Sequence, residues 1–413
     1  MKNKYALVAI GLLLVAAISP TLASDWRAFR GPDGSSYAAT DAKLPDTFDI
    51  ESGENVAWQT KLPGRGVSGP VVTGGRVLIT SSSGVNRDRL HVVAIDDESG
   101  EQLWHRQFWA TGRTLCHPSS ANAAPTPATD GERVFAFYSS NDLACFDLDG
   151  NMQWFRGLVL DHPGLGNDVG MASSPVVAGD VVVVQCDCQA NSFAAAFDCK
   201  TGEERWSIER PASANWASPV AMDVMVEGKP VPAVLFQSRE GLVAHAADNG
   251  RLLWKYGMGC SSIPSAAGGD GVVYVPTGGG LSAIATSADH TGERQLWKDS
   301  SLKCGNASPI VSSAGLLVLS SAGVLNCVSP EDQEAVWRKR RLGGRFWATP
   351  VAAGDRLYAL SDAGEVIIVD LAEGKVLNKC SLGKDQATFG SPAMADGALY
   401  LRSHDYVWKI AAE

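Results

Sequence analysis

From about residue 55 to residue 410 the apolar positions fall in short runs separated by tight polar turns, and the runs follow one phrase. Pro precedes a first apolar run, and a Gly/Asp turn leads to a second. A small-apolar-Asp step closes a third, and a polar turn then leads to a segment carrying Trp. Three clear copies end Ala94-Ile95-Asp96…Ser99-Gly100…Trp104, Ala196-Phe197-Asp198…Thr201-Gly202…Trp206 and Ala247-Asp248-Asn249-Gly250…Trp254. Short strands recurring every ~40–50 residues predict the blades of a β-propeller.

Eight prolines open the units: Pro70, Pro127, Pro175, Pro219, Pro264, Pro309, Pro350 and Pro392. The closing Trp recurs at 104, 154, 206, 254, 297 and 337, and Asn378, four residues after Gly374, takes its place in the seventh copy. The last unit runs to Tyr406-Val407-Trp408-Lys409-Ile410 and stops without a fourth segment. The missing piece is Asn55-Val56-Ala57-Trp58-Gln59-Thr60, after Gly53. The reading is therefore an all-β, eight-bladed β-propeller of four-stranded antiparallel blades, closed by the N-terminal strand completing the last blade. Such closure removes exposed strand edges. The propeller is assigned to residues 55–413, behind an N-terminal extension over 24–54.

Within the phrase the chemistry is structural. Continuous runs such as Val181-Val182-Val183-Val184 predict strands covered on both faces. Asp149-Gly150 and Asn249-Gly250 supply the positive φ of tight hairpins. The recurrent Trp is read as packing between blades, with one hydrogen-bond partner for its N–H.

The first residues have a different character. Lys2 and Lys4 precede an apolar stretch from Ala6 to Ile18, and Thr21-Leu22-Ala23 suits a signal peptidase. The stretch is shorter than the ~20 residues a membrane span needs. Residues 1–23 are read as a cleaved signal peptide, so the protein is expected to be exported, periplasmic or extracytoplasmic. No Cys directly follows that site, so no lipid anchor is expected on the mature N-terminus, and after signal cleavage no transmembrane anchor is expected either. Removing residues 1–23 deletes two lysines and no acid, taking the net charge from −10 to −12. That charge argues against nucleic acid or anionic lipid as partners.

Nine cysteines in an exported chain suggest disulfides, but the count is odd and most sit inside apolar runs, as Cys145, Cys199 and Cys327 do. They are read as small buried apolar residues. Cys186 and Cys188 fall on one face of a strand, badly placed to bond each other. No second CxxC or His pair stands at zinc spacing, so no metal site is expected.

The phrase Ala-x-Asp-x-x-Thr-Gly-Glu-x-x-Trp resembles the repeat of the pyrroloquinoline-quinone propeller superfamily, which includes quinoprotein alcohol dehydrogenases and BamB-type envelope assembly factors. The resemblance covers about residues 55–410. The elements Asp25-Trp26-Arg27-Ala28-Phe29-Arg30-Gly31-Pro32, Pro125-Thr126-Pro127 and Asn191-Ser192-Phe193 look like exported propellers of planctomycete-type bacteria. Quinoprotein dehydrogenases of the superfamily hold their cofactor against a disulfide between adjacent cysteines and bind Ca²⁺ through Glu, Asn and Asp. This chain has no Cys-Cys pair, and the segments entering its inner strands contain few carboxylates. Neither the quinone nor Ca²⁺ is therefore expected.

Residues just before each innermost strand crowd one mouth of a propeller's channel. Two of these segments, Asn215-Trp216-Ala217-Ser218-Pro219 and Phe346-Trp347-Ala348-Thr349-Pro350, carry a Trp that the repeat does not require. Arg65 and Arg345 stand at the same level. Insertions over 112–124 and 158–170 add His117 and Asn167. The candidate ligand-binding set at the funnel mouth is Arg65, His117, Asn167, Trp216, Arg345 and Trp347, suited to a sugar, a planar ligand or a peptide. Cys116 and His117 are neighbours that point apart in an extended chain, so no nucleophile is assigned. Asp161 and Asp168 are read as solvated loop acids. No catalytic constellation is recognised. The expected function is that of an exported non-catalytic propeller acting as a protein- or ligand-binding scaffold in the cell envelope, similar to BamB-type assembly factors, with an envelope protein or peptide as partner. The alternative is a quinoprotein-like oxidoreductase or carbohydrate-binding propeller using the central funnel.

Overall fold

The computed structural model describes residues 25–384 and 386–412; the expected signal peptide lies outside them. Eight four-stranded antiparallel blades form a ring, as the repeat predicts. Blades 1 to 7 span residues 71–109, 128–157, 176–209, 220–256, 267–299, 310–341 and 351–381. Blade 8 takes three strands from 393–410 and its outer strand from Val56–Lys61, paired antiparallel with Tyr406–Ile410. Each innermost strand touches the next around the ring, and that of blade 8 (Ala393–Ala395) touches that of blade 1 (Val71–Thr73). The prolines mark the inner strands in every blade but the fifth. Pro264 lies two residues early, and Ala266 occupies the position that proline holds elsewhere, following Ser265 as Pro219 follows Ser218.

The middle strands are buried along their whole length, as in Val181–Cys186 and Phe193–Asp198 of blade 3. Outer strands alternate, with Trp206 the one buried side chain of Glu204–Glu209. Every blade has a register shift where the outer strand pairs beside its Trp, Asn378 included. A bulge re-aims one side chain; here it turns the indole onto the next blade. The indole N–H of Trp104 donates to the Leu148 carbonyl at 2.8 Å, and that of Trp154 to Cys199 at 3.0 Å. Trp58 of blade 8 donates to Asp97 of blade 1 at 2.8 Å, so the closing seam uses the same contact. The ring lies flat on the turn glycine of the neighbour. A Cβ on Gly100 would stand 2.6 Å from Trp58, and one on Gly150 2.6 Å from Trp104. The same Trp–Gly contact recurs at Gly202, Gly250 and Gly374, whereas Trp254 and Trp297 meet no turn glycine and the Trp254 N–H, contrary to expectation, has no hydrogen-bond partner among the described residues. All nine cysteines are free thiols.

Residues 25–54, ahead of the ring in sequence, run across the far end of the inner strands. Trp26 exchanges backbone hydrogen bonds with Val72 of blade 1, and the Arg27 carbonyl accepts from Thr129 of blade 2. The carbonyls of Ser35 and Ser36 accept from Val311 of blade 6 and Ala352 of blade 7. Tyr37–Ala38 then adds a short parallel strand to blade 7. Between these anchors the buried Arg30 guanidinium donates to the Ala266 carbonyl at 2.6 Å and lies 5.2 Å from the Phe29 ring centroid. Burial lowers its pKa to about 10.

Blade 1 contains a histidine pair, His91 buried and His105 half-buried: His91 Nδ1 lies 2.9 Å from His105 Nε2, and His91 Nε2 lies 2.7 Å from the Ser83 hydroxyl. Burial, then His105 and Arg89, lowers the His91 pKa from 6.5 to about 4; burial lowers that of His105 as well. The folded state therefore binds fewer protons than the unfolded chain between those values. Stability that is complete above pH 6.5 is expected to fall as pH drops towards 4, by roughly 3 kcal/mol for His91. Urea unfolding between pH 4 and 7 should show this slope, and His91→Gln should flatten it; an equal slope in that variant refutes the assignment.

Candidate functional site

At the entry end of the inner strands the chain places two rings of equivalent residues. The lower ring is the residue immediately before each inner-strand proline or its equivalent, and it is hydroxylic in seven blades. Backbone N–H groups pass around it from blade to blade. Gly69 donates to Thr126, Thr126 to Ser174, Ser174 to Ser218 and Ser218 to Ser265, over 2.7–3.0 Å. Ser265 then donates to Ser308, Ser308 to Thr349 and Thr349 to Ser391, over 2.9–3.0 Å. The belt opens only at the seam, where blade 1 has Gly69. A Cβ there would stand 2.8 Å from the Ser391 carbonyl, so a side chain does not fit.

Two residues earlier the upper ring is uneven. Blades 1 to 3 present the small Val67, Ala124 and Ala172. Blades 4, 5, 7 and 8 present Trp216, Ile263, Trp347 and Phe389, and blade 6 presents Asn306. Together the rings enclose a cavity of about 350 Å³. Its floor is Phe29 of the crossing segment; its partial roof is His117, Ser119, Ser120 and Val169 from the two insertions. Among the described residues no Asp, Glu, Lys or Arg lines it.

Of the residues singled out by sequence, His117, Trp216 and Trp347 line this cavity. Arg65, Asn167 and Arg345 do not. Arg65 clamps the first insertion, donating to the Pro118 carbonyl at 2.5 Å; burial and then Arg87 lower its pKa. Asn167 is buried in the second insertion, its Oδ1 accepting from the Val169 N–H at 3.1 Å. Arg345 points outward and pairs with Asp362 at 2.9 Å. The two insertions are joined by the His117 N–H donating to the Val169 carbonyl at 3.0 Å and by the Arg113–Asp168 pair at 2.9 Å. Asp161 pairs with Arg156 at 2.8 Å, so the two loop acids have separate partners. The Cys116 sulfur accepts from Arg87, while His117 Nδ1 faces Ser119.

Trp216 is held from three sides. Its Nε1–H donates to the Gly170 carbonyl and its backbone N–H to Ser262, each at 2.8 Å. Beside it, Asn215 belongs to a buried cluster bridging blades 3 and 4. There Arg210 pairs with Asp187 at 2.7 Å and also donates to the Gln237 carbonyl. Asp187 accepts further from Gln185 and Asn215.

Sequence reasoning missed Phe29 and Ile263 as lining residues. The signal for Phe29 was the Trp26-x-x-Phe29-Arg30-Gly31-Pro32 element, which no repeat contains. The signal for the belt was the hydroxyl directly before proline, which selects Ser174 rather than its neighbour Ser173.

The chain matches the family described as outer membrane protein assembly factor BamB over residues 22–229, 166–261 and 238–412. It is 26% identical over 346 residues to the outer membrane protein assembly factor BamB of Yersinia pestis, covering 81% of each chain. The crystal structure of BamB from Moraxella catarrhalis is similar with a TM-score of 0.64 at 16% identity, covering 87% of this chain and 97% of that one. A europium-containing methanol dehydrogenase is similar with a TM-score of 0.54 at 14% identity, covering 92% and 90%. These two structural likenesses show a common fold.

Proposed function

This chain belongs to the outer membrane protein assembly factor BamB family, and on that premise we propose that it is a non-catalytic propeller of the cell envelope that binds a protein or peptide partner. The observation carrying this reading is the distribution of exposed apolar side chains. Leu103, Leu296, Val336 and Leu377 recur at the position just before the outer-strand Trp or its Asn equivalent, and Leu252 stands two before Trp254. Another set is not periodic. Val85 at a hairpin tip of blade 1, Leu115 in the first insertion, Leu160 and Val169 in the second, and Trp347 gather around the mouth. Val85 is fully exposed and Leu160 is 74% exposed. Apolar groups on loops that the repeat does not require mark an interaction face.

The quinone of the dehydrogenase branch does not suit the cavity. Pyrroloquinoline quinone is a tricarboxylate, and its Ca²⁺ partner takes about six to eight oxygen ligands with anionic help. Among the described residues the lining contains hydroxyls, an imidazole, one amide and apolar groups, with neither carboxylate nor cation. Among the described residues no helix is long and apolar enough to cross a membrane, and export rests on the N-terminal sequence.

The test is a surface variant carrying Val85→Asp, Leu115→Asp and Leu160→Asp. It should keep the melting temperature within a few degrees, since exposed substitutions shift stability by about 0.5 kcal/mol or less. It should lose co-purification with envelope proteins, whereas Leu252→Asp with Leu296→Asp should retain it. Equal co-purification by both variants refutes the reading, as does alcohol-dependent dye reduction after loading with quinone and Ca²⁺.

A further inference from the structure

We propose that the cavity above Phe29 is a binding site for an uncharged saccharide, one or two sugar rings seated in the mouth of the propeller. The inference stands apart from the protein-partner reading, because it concerns the interior of the funnel. It rests on what the walls can and cannot satisfy.

Each of the seven belt hydroxyls already accepts a backbone N–H from the preceding blade. None donates its own O–H to any acceptor among the described residues, although all seven line the cavity. A ring of spare hydroxyl donors therefore faces the axis. Above it the Asn306 amide and the Trp347 indole N–H also lack partners among the described residues, and both reach the same space. The remaining wall is flat and apolar, formed chiefly by Trp216, Trp347 and Phe389. The Trp347 and Phe389 rings stand edge to face with centroids 6.4 Å apart. Trp216 is fixed through its N–H to Gly170, so its ring is presented ready-oriented.

Three ligand classes can be weighed against these walls. A hydrocarbon or bare aromatic would strip water from seven hydroxyls and give them no acceptor, each an uncompensated desolvation. A carboxylate, phosphate or ammonium would enter a cavity with no charged lining residue among those described, leaving its charge unpaired. A sugar ring meets both demands, with oxygens around its rim for the hydroxyls and the amide, and C–H faces for the indoles. The volume of about 350 Å³ lies at the small end of ligand pockets and suits one or two rings.

The test is calorimetric titration of the full chain with maltose, cellobiose and diacetylchitobiose as neutral probes, and with glucuronate and glucosamine as charged ones. Tryptophan fluorescence is followed in parallel. At least one neutral sugar should bind saturably and perturb the fluorescence, and the charged ones should bind more weakly. Trp347→Ala and Asn306→Ala should each weaken that sugar by about tenfold or more. Trp347 is 42% exposed and Asn306 partly exposed, so both variants should melt like the parent. Failure of all three neutral sugars to saturate overturns the proposal. So does equal binding of the charged sugars, or wild-type affinity in both variants. Partner capture by the surface variants is read separately, so either idea can fail alone.

Discussion

Replacing Asp187 by alanine is expected to lower the unfolding free energy by about 3–5 kcal/mol. Asp187 and Arg210 are only 1% and 2% exposed, and the carboxylate also accepts from Gln185 and Asn215. Alanine leaves the Arg210 guanidinium buried with the Gln237 carbonyl and the Phe236 ring, 5.0 Å from its centroid, but without a counter-charge. The desolvation of that cation then goes unmatched, which is why breaking such a pair destabilises more than the pair itself contributes. Asp187→Leu combined with Arg210→Met should recover much of the loss by removing both charges. Urea unfolding of the three variants decides the matter. A double variant as unstable as Asp187→Ala would mean that packing, not the orphaned charge, dominates. Asn215 adjoins Trp216, so the single variant should also change the near-ultraviolet signal of the funnel mouth.

A chain beginning at residue 63, without the closing strand, is expected to lose the monomeric fold. Its blade 8 keeps three strands, and Tyr406–Ile410 becomes an open edge with unpaired N–H and C=O groups. Trp58 goes with the missing strand. Burial of such a side chain is worth about 3–5 kcal/mol, and its contact with Gly100 joins blade 8 to blade 1 beside the Lys409–Asp97 pair. Domains of ordinary stability hold about 5–15 kcal/mol in reserve, so this loss with that of the strand pairing approaches the whole. Size-exclusion chromatography should show oligomers or aggregate, and the thermal transition should broaden or disappear. A stable monomer with a sharp transition would show that the seam contributes little. A chain beginning at residue 52 keeps Val56–Lys61 and should remain a ring, with the floor of the funnel opened by the loss of Phe29.

The blades were legible because their determinants are local. A strand is written by a run of apolar residues, a hairpin by Asp-Gly or Asn-Gly, and the outer strand by its Trp. Counting those marks was enough to predict eight blades and to see that Trp58 belonged with Trp408 rather than with its own neighbours. Pro264 misled by two residues because proline only accompanies the inner strand, whereas the hydroxyl of Ser265 takes part in a bond. The mouth was legible in part. Trp216 and Trp347 stood out since the repeat had no use for them, while Arg65 and Arg345 drew attention by charge and proved to serve a loop carbonyl and Asp362.

By itself, then, the order of residues determined the repeating unit, the number of units and the way the ends meet, all of which follow from backbone periodicity and turn chemistry within a few dozen positions. Tertiary structure decided the funnel. Phe29 becomes its floor only because residues 25–38 cross the ring to blade 7, where Tyr37 pairs with Ala352, 315 positions ahead. Seven hydroxyls become a belt only when curvature brings successive inner strands within hydrogen-bonding reach. Such contacts join residues some forty or more positions apart, where no local preference of the chain records which side chain will face which.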